Sequence, residues 1–232
     1  MILVTGAAKG LGKEICCQLA AKGHDLVIHY RQSEKEAKEL KEVCQGLGVQ
    51  AEILYGDFST TDSLEAFIQV YLEQIPLTKG LVNNVGNYLI APLADTEKHQ
   101  WHDLFQTNLF APIFLVQALL PFIQKEKGGI VNLGVSGLNP ARPFLKAGAY
   151  ATAKSALWFY TLSMAKQLAP HMVNVNMVSP GYLEETAEKP NPNNLPMRRL
   201  ITFQEIARVV AFLFEAKSSS ITGQNIEVAG GV

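Results

Sequence analysis

The chain has 232 residues, 48% hydrophobic and 18% charged, with a formal net charge of -1. Length and apolar content without a compositional break predict one domain, residues 1–232, that buries roughly 70–75% of its unfolded surface. The near-neutral balance, with basic residues scattered rather than blocked, leaves no electrostatic basis for binding nucleic acid or an anionic membrane surface. The longest apolar stretch, 110–123, contains Pro112, Gln117 and Pro121 and falls short of a bilayer span, so no transmembrane helix is expected. Met1 runs directly into Ile2-Leu3-Val4 without a basic leader, and the expected location is the cytoplasm.

Short apolar runs at 2–5, 25–30, 51–55, 80–83, 129–133, 173–178 and 225–228 alternate with amphipathic segments. That alternation predicts an α/β doubly wound fold, a seven-stranded parallel sheet with helices on both faces. The first run leads straight into Thr5-Gly6-Ala7-Ala8-Lys9-Gly10-Leu11-Gly12, and a helix follows through Lys22. Glycines there let the backbone approach a pyrophosphate while the helix N-terminus offers it unpaired amides. The second run ends Ile28-His29-Tyr30-Arg31-Gln32-Ser33 and lacks the acid that an NAD site uses to bond the ribose hydroxyls; Asp25 comes too early. Lys9 and Arg31 can instead converge on a 2′-phosphate, which points to NADP(H).

Ser33 with Glu36, Asp62 with Glu65, and Thr202 with Glu205 have the spacing of capping boxes, and Gly46 and Gly48 close the helix that Ser33 opens. Cys16, Cys17 and Cys44 are odd in number, lack metal-ligand spacing and fall in predicted helices, so they read as reduced thiols. His99 and His102 can share a helix face but have no third ligand nearby, and no metal is expected. Residues 182–196, rich in proline and asparagine, read as a mobile surface segment, part of a small substrate loop at about 182–200.

Tyr150 and Lys154 stand four apart, so on a helix a phenol sits beside an ammonium. Bringing a phenol from its ordinary pKa of about 10 to near 7 takes about 4 kcal/mol. One cation at about 4 Å, at an effective dielectric of about 20, supplies about that much. Burial opposes it.

Several motifs occur in order along essentially the whole chain. They are Thr5 with Gly6-x-x-x-Gly10-x-Gly12, Asp57, Asn83-Asn84-Val85-Gly86, Asn108, Tyr150-x-x-x-Lys154, Ser179-Pro180-Gly181, and Ile221–Gln224 with Gly230-Gly231. This order resembles the short-chain dehydrogenase/reductase family, with its Rossmann fold. The resemblance implies that Asp57 and Phe58 meet the adenine, that Tyr30 and Arg31 lie at its ribose, and that Asn84, Val85 and Gly86 line the cofactor. It places Pro180, Gly181 and Leu183 on the nicotinamide side. It makes Lys154 the residue that holds the nicotinamide ribose and lowers the pKa of Tyr150, which then protonates a carbonyl oxygen. Asn108 serves the proton path.

The family's serine is displaced. Counting forward from Asn132 places its slot at Val135, and counting back from Tyr150 places it at Gly137. Ser136 lies between, as the candidate fourth catalytic residue, and the loop 137–148 is altered in length. Within the family, Met197-Arg198-Arg199-Leu200 is similar to 3-oxoacyl-[acyl-carrier-protein] reductases, which implies a small-molecule or carrier-bound carbonyl substrate. The segments His29–Ser33 and Gly56–Ser59, with the irregular serine, resemble pteridine and dihydromonapterin reductases. A non-enzymatic NADP(H)-binding protein is a third reading, against which Asn108, Tyr150 and Lys154 stand. Arg142 and Lys146, in the altered loop, read as solvated. The resemblance also implies a homo-oligomer, tetramer or dimer, joined through the helices of Asn108 and Tyr150; the apolar segments 110–120 and 156–164 suit such an interface, and core burial explains them nearly as well.

Overall fold

The computed structural model describes residues 1–75, 77–138, 143–185, 189–216 and 220–232, so Arg142 lies outside the described residues. Seven strands form one sheet: β1 (Ile2–Val4), β2 (Leu26–Tyr30), β3 (Ala51–Tyr55), β4 (Gly80–Asn83), β5 (Gly129–Leu133), β6 (Asn174–Pro180) and β7 (Asn225–Val228). Every pairing is parallel, in the order β3-β2-β1-β4-β5-β6-β7. The expected strands are all present. The largest difference in extent is at β6, which runs on to Pro180 because Pro180 still pairs with Val228 of β7.

The helices are α1 (Gly10–Ala21), α2 (Glu34–Gly46), α3 (Thr61–Gln74), α4 (Lys98–Phe105), α5 (Ala111–Lys125), α6 (Gly148–Leu168) and α7 (Phe203–Leu213). Successive strand residues point to opposite faces, and each face has its own apolar layer. Ile2, Val4, Leu26, Ile28 and Val131 pack with Ile15 and Leu19 of α1 and Ile206 and Val210 of α7. Leu3, Val27, Leu81 and Ile130 pack with Phe67 of α3, Leu115 and Leu119 of α5, and Ala165 of α6. Burial on both faces explains why the inner strands β1, β2, β4 and β5 read as nearly continuous apolar runs, while the edge strands β3 and β7 carry Glu52 and Glu227. From the neighbouring strands β1 and β4 the chain crosses to opposite sides of the sheet, which opens a crevice above their C-terminal ends.

Local sequence settles some helix ends and not others. Thr202 and Glu205 form the expected capping box at α7. At α3 the cap is Thr60 rather than Asp62, its hydroxyl accepting the Ser63 N–H at 3.2 Å. At α2 Ser33 makes no side-chain cap bond, its backbone at ψ 56° being off the extended cap geometry, and Glu36 turns to Lys9, 2.7 Å away, instead of closing the box. α4, a five-residue π-turn at Gln106–Phe110 and α5 join into one helical run, Lys98–Lys125. Contrary to the expectation drawn from 110–123 alone, that run is long and apolar enough to cross a membrane. In this fold its buried residues, among them Leu115, Val116, Leu119 and Ile123, pack against the sheet.

Candidate active site

The crevice between β1 and β4 is built from backbone held by a few polar side chains. Thr5 Oγ1 donates to the Val82 carbonyl at 3.3 Å and accepts the N–H groups of Asn84 and Val85 at 2.9 and 3.0 Å. Asn84 Nδ2 donates to the carbonyls of Thr5 and Gly6 at 2.9 and 3.1 Å. Gly12 comes so close to this turn that a side chain there would run into the Gly6 carbonyl oxygen. Leu11 packs into the apolar layer beneath.

His29, which sequence reasoning did not include in the site, anchors the same turn. It is buried on β2, and its Nδ1 accepts the Gly6 N–H at 2.9 Å. Nε2 must therefore carry the proton, and it donates to the Gly56 carbonyl at 3.1 Å. Phe58 stacks on its ring at 4.2 Å. Burial pushes the imidazole pKa down to about 4, so His29 is a neutral linker between the β1 and β3 turns. A polar residue within an otherwise apolar strand was the signal for it.

A cleft of about 530 Å³ opens beside this turn, lined in part by Gly6, Arg31, Phe58, Asn84, Val85 and Gly86. Tyr30, before Arg31, is half-buried and meets Tyr55 edge-on at 6.1 Å. The two cations expected to converge each hold a carboxylate: Lys9 meets Glu36 at 2.7 Å, and Arg31 meets Asp57 at 3.5 Å. Asp57 also accepts the Ser59 N–H at 2.9 Å.

Tyr150 and Lys154 lie on the first two turns of α6. The Lys154 Nζ stands 5.8 Å from the Tyr150 ring centroid and donates to the Leu133 carbonyl at 2.8 Å. Burial pushes its pKa down to about 8. Burial, and then the nearby Tyr88 phenol, push the Tyr150 phenol well above its ordinary value. The expected lowering of the phenol by the ammonium is therefore outweighed here, as desolvation disfavours both charged forms.

Asn108 is fully buried in the π-turn, a helix irregularity that often marks functional positions. Its Nδ2 donates to the Leu104 carbonyl at 3.0 Å and to the carbonyl and Oδ1 of Asn87 at 3.0 and 2.7 Å. Its Oδ1 has no partner among the described residues. It faces Gly86, where a Cβ would fall 2.7 Å from Oδ1 and 3.5 Å from Lys154 Nζ. An orphaned acceptor, a buried ammonium and a glycine that leaves the space between them open make a polar pocket suited to a water or a ligand hydroxyl.

Three further residues cross-link the floor. Asn83 Nδ2 donates to Asn132 Oδ1 at 2.8 Å, and Asn132 Nδ2 donates to Thr161 Oγ1 at 2.9 Å, tying β4, β5 and α6 together. Ser136 follows β5, half-buried, with its N–H donated to the Pro180 carbonyl at 3.0 Å. Val135 packs in a small apolar cluster with Leu109, Leu157 and Met177. Gly181 donates its N–H to the Val228 carbonyl at 3.0 Å, and Leu183 bridges to Ile201 at the base of the 182–200 loop.

The Gly6–Gly12 turn, the Asn84–Gly86 backbone and the polar pocket at Asn108 and Lys154 have the chemistry of a dinucleotide site.

The family model described as enoyl-(acyl carrier protein) reductase matches residues 6–232. A 3-oxoacyl-[acyl-carrier-protein] reductase of Staphylococcus aureus is 30% identical, covering 99% of this chain and 96% of its own length. Among solved structures, acetoin dehydrogenase from Enterobacter cloacae superposes with a TM-score of 0.91 at 29% identity, covering 100% of this chain and 95% of its own. A blue fluorescent protein from a metagenomic library, in complex with NADPH, does so at 0.90 and 26%, covering 99% and 96%. The chain belongs to the short-chain dehydrogenase/reductase family, whose members bind a nicotinamide cofactor, and it is an oxidoreductase of that family.

Proposed function

We propose that the protein is an NADP(H)-dependent reductase of ketones, acting on 3-oxoacyl groups of a carrier or on related small molecules. The observation that carries the reading is the Tyr150–Lys154 pair on one face of α6, set against the open pocket at Gly86 and the unpartnered Asn108 Oδ1. When bound, the nicotinamide supplies the hydride. Tyr150, kept protonated by burial, hands its proton to the carbonyl oxygen. Lys154 positions the ribose and stabilises the phenolate left behind. Asn108 Oδ1 holds the water that returns a proton towards Lys154. Ser136 is a candidate second donor to the carbonyl oxygen.

Arg31 at the cleft, and the absence of an acid at the end of β2, support NADP(H) over NAD(H). The family model's description and the carrier-protein reductase among the relatives favour an acyl substrate. The test is oxidation of NADPH and NADH against a panel of 3-oxoacyl thioesters, simple ketones and dihydropterins. Turnover of a thioester with NADPH at least tenfold faster than with NADH is expected. Tight NADPH binding with no turnover of any member would refute the enzyme reading, and equal use of NADH would refute the cofactor assignment. Arg31→Ala should lower kcat/KM for NADPH about tenfold, the loss of one charge-assisted contact of 1.5–3 kcal/mol less its solvent screening, and leave NADH use unchanged.

A further inference from the structure

The ketone oxygen needs a second hydrogen bond beside that of Tyr150, and the segment after β5 offers an irregular one. Val135 is turned into the apolar cluster of Leu109, Leu157 and Met177. Ser136 has its N–H tied into the β6 ladder at Pro180, and Gly137 has its N–H tied to Glu227 Oε1 at 2.9 Å. Against Tyr150 itself stands a second phenol. The Tyr88 ring meets the Tyr150 ring edge-on, with centroids 4.9 Å apart and planes at 81°.

Tyr88 is placed there by its loop. Asn87, just before it, is held by two hydrogen bonds from Asn108 Nδ2 and itself donates to the Asp103 carbonyl at 3.3 Å. Ala91, three residues on, donates its N–H to the Lys146 carbonyl at 2.8 Å and bridges to Ala147, next to the start of α6. The loop is thus stitched on both sides of Tyr88 to the two elements that carry Asn108 and Tyr150. Tyr88 is 57% exposed, a large aromatic kept out of the core although its ring lies against Tyr150. The Tyr88 phenol stands close enough to disfavour ionisation of the Tyr150 phenol.

We propose that Tyr88 is a further catalytic residue, whose hydroxyl donates the second hydrogen bond to the substrate oxygen that Tyr150 protonates. It forms no covalent bond and transfers no proton; it stabilises the negative charge that develops on that oxygen. The inference rests on the reductase reading, and the experiment separates the two by including binding of an alcohol that does not react. Trifluoroethanol, an acidic alcohol, is titrated calorimetrically into wild type, Tyr88→Phe, Tyr88→Ala and Ser136→Ala, each saturated with NADP+, and kcat and KM are measured on any ketone that wild type reduces.

Tyr88→Phe keeps the ring contact and removes only the hydroxyl. It should weaken trifluoroethanol binding about tenfold and lower kcat by about 10²–10³, the usual cost of one such donor. NADPH affinity should stay within threefold of wild type. Trifluoroethanol binding equal in wild type and Tyr88→Phe, or no binding to wild type, overturns the proposal. So does a larger loss from Ser136→Ala than from Tyr88→Phe, which would make Ser136 the donor. A loss in Tyr88→Ala alone would reduce Tyr88 to an aromatic wall and likewise overturn it. Absence of ketone turnover with the expected trifluoroethanol pattern would sink the reductase reading and leave the contact standing.

Discussion

Three residues carry their protonation states into the behaviour of the whole protein. Lys154 has a pKa lowered to about 8, and Tyr150 is raised. As pH rises through about 8 Lys154 loses its charge while Tyr150 keeps its proton. The kcat/KM for reduction, which reports the free enzyme, should therefore be flat from about pH 6 to 7.5 and fall above about 8. Oxidation of the alcohol needs Tyr150 without its proton and should rise with pH over the same range. A reduction limb that fell below pH 7 instead would contradict this assignment. Tyr150→Phe should lower the reduction rate by about 10³ or more. His29 bears on stability. Its folded pKa of about 4 lies below the ordinary 6.5, so between those values the unfolded chain binds the extra proton. Stability should fall as pH drops from about 6.5 to 4, by about 3 kcal/mol. Urea titrations across that window check it, and His29→Gln should shrink the loss.

At the scale of elements, the capping pattern makes a paired prediction. Thr202 bonds the Glu205 N–H and receives the Glu205 carboxylate in return, while Ser33 makes no cap bond. Thr202→Ala should destabilise by about 1 kcal/mol and Ser33→Ala by only a few tenths, read from urea midpoints at constant slope. Equal losses would mean that the Ser33 cap forms after all. Half of the failure at Ser33 is local, in a backbone off the cap geometry, and half is nonlocal: Lys9, distant in sequence, takes the Glu36 carboxylate. Capping boxes are legible where both partners lie within one turn and no outside charge competes. The same reasoning explains why His29 was readable as an anomaly on a strand, whereas Tyr88 and Asn87 were not. A loop residue has no periodicity to violate, and its neighbours are set by contacts made elsewhere.

Across the whole molecule, cofactor and fold are linked by mass action. NADPH at a hundredfold excess over its Kd should add about 2.7 kcal/mol of stability. For a domain of this size that is a rise of about 5–10 °C in Tm. NADH at the same concentration, bound about tenfold more weakly, should raise Tm about half as much, and a calorimetric scan distinguishes them. An equal shift would count against the Arg31 assignment.

The architecture was written into local pattern. Apolar runs at strand length, alternating with amphipathic segments and with a glycine turn after the first, specified a doubly wound sheet and each strand to within two residues at its ends. Each signal depends on residues within a few positions of one another, and burial on both faces makes the pattern strong. Tertiary structure decided what lies between distant segments. It set the Asn83–Asn132–Thr161 link that fixes α6 to the sheet. It clamped the Gly6 turn with His29, and it brought Tyr88 against Tyr150. It also decided that burial outweighs the ammonium at the Tyr150 phenol. A hydrogen bond or a desolvated charge takes its energy from the groups that surround it in space, and those are known only once the chain has folded.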